Sequence, residues 1–268
     1  MNARRLIANL FFSNPLPSLS ILFLSLGIPL SLLGQEELKV FISVDMEGIS
    51  GVVTSPETGS GGDDYGYFRR IMSHEANAAV LGAFDAGATE VLVRDSHGSA
   101  RNILPDLLDP RARLLRDWSG SPLVMMEGID ETFDAVVFIG YHARAGTPDA
   151  IIDHTSTGNV TDFAINGVSL PEAGYNALIA GHHGVPVVFV AGDQAICDQV
   201  TALLGEVATF ATKRGIGAAS LGLHPETAQE AIRRGVASAV RDRARYQPFA
   251  MDKPYTLTLK LKTEASVY

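Results

Sequence analysis

Two carboxylates stand two residues apart near the end of KVFISVDMEGISG, residues 39–51. Asp45 and Glu47 follow an apolar, β-branched run. Strand side chains alternate between faces, so this pair is expected to project from one side. Carboxylates crowded in this way repel each other and resist removal from water. Three further polar residues also stand just after or at the end of expected buried strands: His97 in RDSHG, His142 in GYHARAGTP and Asp193 in VAGDQ. Carboxylate oxygens and imidazole nitrogens gathered at one point are what a divalent metal needs, and zinc accepts both. Taken singly, each has a blander reading. An acidic pair at a strand end reads as a solvated turn, and a lone loop histidine as a surface residue.

Positioning these residues falls to a regular alternation of strands and helices. Apolar runs at 40–46 (VFISVDM), 89–95 (TEVLVRD), 134–140 (DAVVFIG), 185–193 (VPVVFVAGD) and 207–215 (VATFATKRG) predict strands. Helical spacing predicts a helix over 67–87, with Ile71, Ala78, Leu81 and Phe84 as a stripe and Gly87 as its stop. Further helices are predicted over 171–184, 195–205 and 224–246, and YTLTLKLK (255–262) alternates as a half-exposed strand does. The pattern predicts an α/β fold with a mostly parallel sheet covered by helices. In such sheets the ligand crevice lies beyond the carboxyl ends of the strands. Asp45, Glu47, His97, His142 and Asp193 would all meet on that edge.

The chain's 268 residues suffice for one large domain or two small ones, and 46% hydrophobic with 19% charged residues is a globular composition. A net charge of −9, with no basic run in the body of the chain, argues against nucleic acid as a partner. The single cysteine, Cys197, excludes an intrachain disulfide, and its place on the apolar side of a helix suits packing better than nucleophilic chemistry. Residues 1–36 differ in kind. Arg4 and Arg5 precede an uncharged stretch that is densest at ILFLSLGIPLSLLG, and the acidic QEEL follows it. This signal-like profile leaves three readings open: a cleaved signal, an uncleaved anchor, or a start assigned too far upstream. A signal at 1–34 implies export to the periplasm or the extracellular space, whereas a misassigned start implies a cytoplasmic protein. In each case the catalytic region is expected to span 37–268.

In chain order, SVDMEGISG, EVLVRDSHG, FIGYHARAGTP, INGVSLPEAGYNALIAG and VAGD resemble the zinc-dependent D-aminopeptidases of the DppA type. The likeness is close over residues 39–214 and looser beyond. It implies a dinuclear zinc metallopeptidase that removes N-terminal D-amino acids such as D-Ala from short peptides by a metal-activated water. It also implies two Zn2+ ions per subunit and five ligands. These fall on Asp45 and Glu47 of VDMEG, His97 of DSH, His142 of GYHARA and Glu172 of LPEAGYNA, with Asp45 bridging. The family's catalytic histidine falls on His154 of IIDHT, one residue further along than the family spacing. The resemblance further implies a ring-shaped homodecamer with sites facing an internal channel. It implies a shortened C-terminal part as well, because such proteins continue past the strand matching YTLTLKLK. Without the resemblance, Glu172 reads as a first-turn helix residue favoured by the dipole, and His154 as an ordinary loop residue. Two other readings remain: a two-metal amidase or phosphoesterase acting on another small molecule, and a metal-stabilised assembly subunit without turnover.

Physical chemistry agrees with the implied site. Two cations would offset the repulsion between Asp45 and Glu47, and a bridging carboxylate can hold two ions ~3.5–4 Å apart. Asp95 and Asp193 are candidates to orient a ligand imidazole. Other motifs fail. His74-Glu75 begins like HExxH, but Ala78 stands where the second histidine belongs, and GIGAAS (215–220) lacks the last glycine of GxGxxG. His182 and His183 close a predicted helix, and His224 opens another, so all three read as caps.

Overall fold

The apolar runs pair side by side because each is buried on both faces, which suits parallel strands covered by helices. In this computed structural model, which describes residues 37–263, the signal-like segment 1–36 lies outside the described residues. The strands in chain order are β1 (Lys39–Val44), β2 (Glu90–Asp95), β3 (Arg113–Leu115), β4 (Ala135–Tyr141) and β5 (Val160–Ile165). Then follow β6 (Val168–Ser169), β7 (Val187–Asp193), β8 (Ala208–Ile216), β9 (Ala219–Gly222) and β10 (Leu257–Leu261). The helices are α1 (Ser55–Thr58), α2 (Tyr65–Asp85), α3 (Glu172–His182), α4 (Gln194–Leu204) and α5 (Pro225–Arg241).

One sheet runs β3-β2-β1-β4-β7-β8-β9, parallel except where β9 returns against β8. On one face Val40, Ile42, Val91, Val93 and Val137 pack against α2 through Met72, Ala79 and Val80, and against α5 through Ile232 and Val236. On the other face Phe41, Val136, Phe138 and Val190 meet Ala173 and Ala177 of α3 and Ile196 and Val200 of α4. Alternate residues of a strand therefore feed different cores, as the two-residue period requires. The mostly parallel sheet covered by helices is thus the architecture observed.

The chain builds outward from β1 through β2 to β3, then turns back to place β4 on the other side of β1. This reversal makes the carboxyl ends of β1 and β4 a topological switch point, where open sheets form a crevice. A second, smaller antiparallel sheet, β10-β5-β6, was not foreseen. The YTLTLKLK segment is a strand, but it pairs with β5 from Leu257↔Ile165 onward rather than with the main sheet.

Candidate metal centre

The segment after β1 does not leave the sheet edge but crosses it. Asp45 N–H donates to Ile139 O and Gly48 N–H to Gly140 O, both at 2.8 Å, which lays the turn over the end of β4. Contact this close leaves no room for side chains. A Cβ on Gly48 would stand 1.8 Å from Tyr141 O, and one on Gly140, already at φ +72°, would stand 2.2 Å from Asp45 O. Gly48 is therefore required for backbone approach. On the other flank, Ser96 donates to Val44 O through both its N–H (2.9 Å) and its Oγ (2.7 Å), which brings His97 alongside Asp45.

The structure brings together all six residues predicted for the site. His97 Nδ1 lies 3.1 Å from Asp45 Oδ1 and 3.0 Å from Glu47 Oε2. His142 Nε2 lies 3.5 Å from Asp45 Oδ2 and 3.6 Å from Glu172 Oε2. His154 Nε2 lies 3.7 Å from Glu172 Oε1, and its ring stacks on that of His142. Asp45, Glu47, His142 and Glu172 are buried, whereas His97 and His154 are partly exposed. Asp45 thus turns Oδ1 toward His97 and Oδ2 toward His142.

Each imidazole is oriented by a backbone carbonyl. His97 Nε2 donates to Thr58 O at 3.0 Å, His142 Nδ1 to Ala143 O at 3.0 Å, and His154 Nδ1 to Ile152 O at 2.9 Å. A carbonyl only accepts, so in each ring the nitrogen facing it carries a proton and the opposite nitrogen faces the carboxylates. Asp95 and Asp193 do not orient an imidazole, contrary to expectation. Asp95 accepts from Asn102 N, Asn102 Nδ2 and Ile103 N at 2.6–2.8 Å, and Asn102 Nδ2 also holds His97 O at 2.6 Å. Asp193 caps α4 through Ile196 N (2.8 Å) and holds Ile151 N (3.1 Å). Both carboxylates secure the loops that carry histidines, acting through backbone groups that side-chain identity does not reveal.

Burial alone would raise the Asp45 carboxyl, but the neighbouring His142 and His97 imidazoles, His97 at hydrogen-bonding distance, outweigh it and hold the group well below the carboxylate range. Burial would likewise depress His97 and His142, yet the charges of Glu47 and Glu172 respectively help to push each well above the usual imidazole value. The cluster demands positive charge. Among the described residues, Asp45–Glu47–His97, Asp45–His142–Glu172 and Glu47–His142–His154 each offer ligand atoms within 4.8 Å of one another. Asp45 Oδ2 and His142 Nε2 are buried with no hydrogen-bond partner. Two ligands held at about 2.0–2.1 Å by one tetrahedral zinc stand roughly 3.4 Å apart. The 3.5 and 3.6 Å separations around His142 Nε2 are close to that spacing, so these residues fit the metal.

Several functional contacts escape side-chain reading because they use the main chain. Ser156 N–H donates to Glu172 Oε1 at 2.6 Å, from a residue at φ +66°. Thr58 of α1 supplies the carbonyl behind His97. The residues expected outside the site behave accordingly. His224 caps α5, α3 ends at His182, and Cys197 is buried in the α4 core, which pushes its thiol up to about 12.

A family model described as D-aminopeptidase matches residues 38–268. A D-aminopeptidase of Bacillus subtilis (strain 168) is 38% identical over 221 residues, which make up 81% of this chain and 79% of that protein. The solved structure of the Zn-dependent D-aminopeptidase DppA from Bacillus subtilis, described as a self-compartmentalizing protease, matches with a TM-score of 0.81 and 36% identity. The match covers 84% of this chain and 82% of that one. Motif order, architecture and sequence agree, and the chain belongs to the D-aminopeptidase family.

Proposed function

We propose that this protein is a dinuclear zinc aminopeptidase that removes N-terminal D-amino acids, D-Ala among them, from short peptides. The observation that carries this reading is that two of the three candidate groups, Asp45–Glu47–His97 and Asp45–His142–Glu172, share Asp45 and together contain the five expected ligands. Glu47 and His97 would hold one ion, His142 and Glu172 the other, and Asp45 both. When bound, zinc supplies Lewis-acid polarisation of a carbonyl and acidifies a coordinated water.

The rest belongs to the protein. A cleft of about 370 Å3, lined by Glu47, Ser55, Thr58, Ile152, Asp153 and His154, opens beside the cluster and suits a small ligand. Nδ1 of His154 donates to Ile152 O, so in the neutral ring Nε2 is the nitrogen left to accept a proton. It takes a proton from the attacking water and returns it to the departing amine nitrogen as the C–N bond breaks. The stack against His142 and the bond to Ile152 O keep that ring from swinging away.

Assembly into a homo-oligomer is part of the proposal. Leu257 and Leu259 of β10, with Tyr255 beside them, leave apolar surface exposed. Export remains the expectation that the signal-like residues 1–34 support. The test of function is turnover of D-Ala-D-Ala beside L-Ala-L-Ala by purified protein, with a phosphoester panel alongside. The reading expects hydrolysis of the D-peptide at least tenfold faster than the L-peptide. Equal rates, or phosphoester cleavage alone, would overturn it.

A further inference from the structure

The turn that carries Glu47 reaches past β4 and β7 and is gripped by β8, the third strand from β1 on that side of the sheet. Lys213, 3% exposed, donates from Nζ to three backbone carbonyls at once: Glu47 O at 2.5 Å, Val52 O at 2.6 Å and Ile49 O at 2.9 Å. Thr212 Oγ1, one residue earlier, lies 2.7 Å from Gly48 O and 3.0 Å from Gly192 O. From the opposite face of the turn, Glu75 of α2 accepts from Ser50 N–H at 2.9 Å. Consecutive β8 residues therefore reach the carbonyls of residues 47, 48, 49 and 52.

A buried ammonium is costly unless its donors are all engaged, and here three carbonyls engage all three. Those carbonyls belong to one short turn, and they can converge only when that turn is wrapped around the ammonium. The side chain that the wrapping fixes in direction is Glu47, whose carboxylate faces His97 at 3.0 Å. His142 and Glu172 follow other elements, β4 and the start of α3, which the clamp does not touch.

We propose that Lys213, assisted by Thr212, is a positioning residue for one half of the metal centre. It sets the Glu47 carboxylate for the ion shared with His97 and leaves the ion at His142 and Glu172 largely independent of it. The inference rests on the two-zinc reading above. It assigns Lys213 no contact with substrate or metal.

The test is calorimetric titration of metal-free full-length protein with zinc. Wild type taking up two ions supports the two-zinc reading, and its failure to do so would remove that reading and this inference together. Given two ions, Lys213→Met should weaken one of them by 10- to 100-fold, the range for groups that support a metal ligand, and leave the other within about threefold. Thr212→Val should weaken the same ion several-fold. It carries the test if Lys213→Met does not fold, because it keeps the side-chain volume. Combining Lys213→Met with Glu47→Gln should add no further loss, whereas combining it with Glu172→Gln should affect both ions. Two unchanged affinities in either folded variant, or equal loss at both ions, would overturn the proposal, since a general loosening of the fold has no reason to choose one ion.

Discussion

His154 stacks its imidazole on that of His142, with ring centroids 4.2 Å apart and planes 16° from parallel, and both rings present Nε2 to the Glu172 carboxylate. The two rings nevertheless differ. His142 Nε2 is buried between Asp45 and Glu172, whereas His154 lines the cleft and is partly exposed. On the proposed reading, the first would hold an ion and the second would move a proton.

His154→Ala should therefore keep its bound zinc while kcat falls about 100- to 10,000-fold, the usual contribution of a positioned acid–base group. Metal analysis and peptide turnover on the same sample check this. Loss of an ion on substitution would make His154 a ligand instead, as its place in the Glu47–His142–His154 group allows.

Gly48 and Gly140 press the turn after β1 onto the end of β4 with no space for a methyl group. Gly48→Ala and Gly140→Ala should each cost at least about 3 kcal/mol, since overpacking against backbone has no flexible side chain to relieve it. Denaturant unfolding gives the value. A loss under about 1 kcal/mol would show that the turn can lift from the sheet without penalty.

Glu75 is a buried carboxyl that burial pushes up to about 7, against hydrogen bonding from Ser50 and the charge on Lys213. Below the unfolded value of 4.5 both states are protonated. As pH rises from there toward 7, the unfolded chain releases its proton and the folded one keeps it, so stability falls across that window by about 3 kcal/mol. Glu75→Gln, which keeps an acceptor for Ser50 N–H, should match wild type near pH 4 and exceed it at pH 8. Urea unfolding across that range tests the sign. Parallel pH profiles for the two proteins would contradict it.

Much of this was legible in the sequence, for physical reasons. The strands β1, β2, β4 and β7 are each built on an apolar, β-branched stretch, and a polar residue just beyond such a strand stands at the edge where α/β sheets bind ligands. That places Asp45, Glu47, His97 and His142 without coordinates. Glu172 and His154 were visible only through resemblance, because a carboxylate in a helix first turn and a histidine in a polar loop have ordinary explanations. The hairpin β5–β6 carried a readable signal, the Asn166-Gly167 pair, and both residues do adopt positive φ as a two-residue hairpin turn requires. The roles of Asp95, Asp193 and Lys213 were hidden, since each acts on backbone atoms, which side-chain identity does not reveal, and Asp193 and Lys213 reach segments distant in sequence.

The central claim is that Asp45 is shared between two zinc ions, and metal content tests it most directly. Elemental analysis of the purified full-length protein and of Asp45→Ala, both exposed to zinc and then desalted, gives the answer in one measurement. The account predicts about two zinc ions per wild-type chain, and fewer than one in the variant, because removing the shared carboxylate weakens both triads. Two ions in each protein, or none in the wild type, would contradict it.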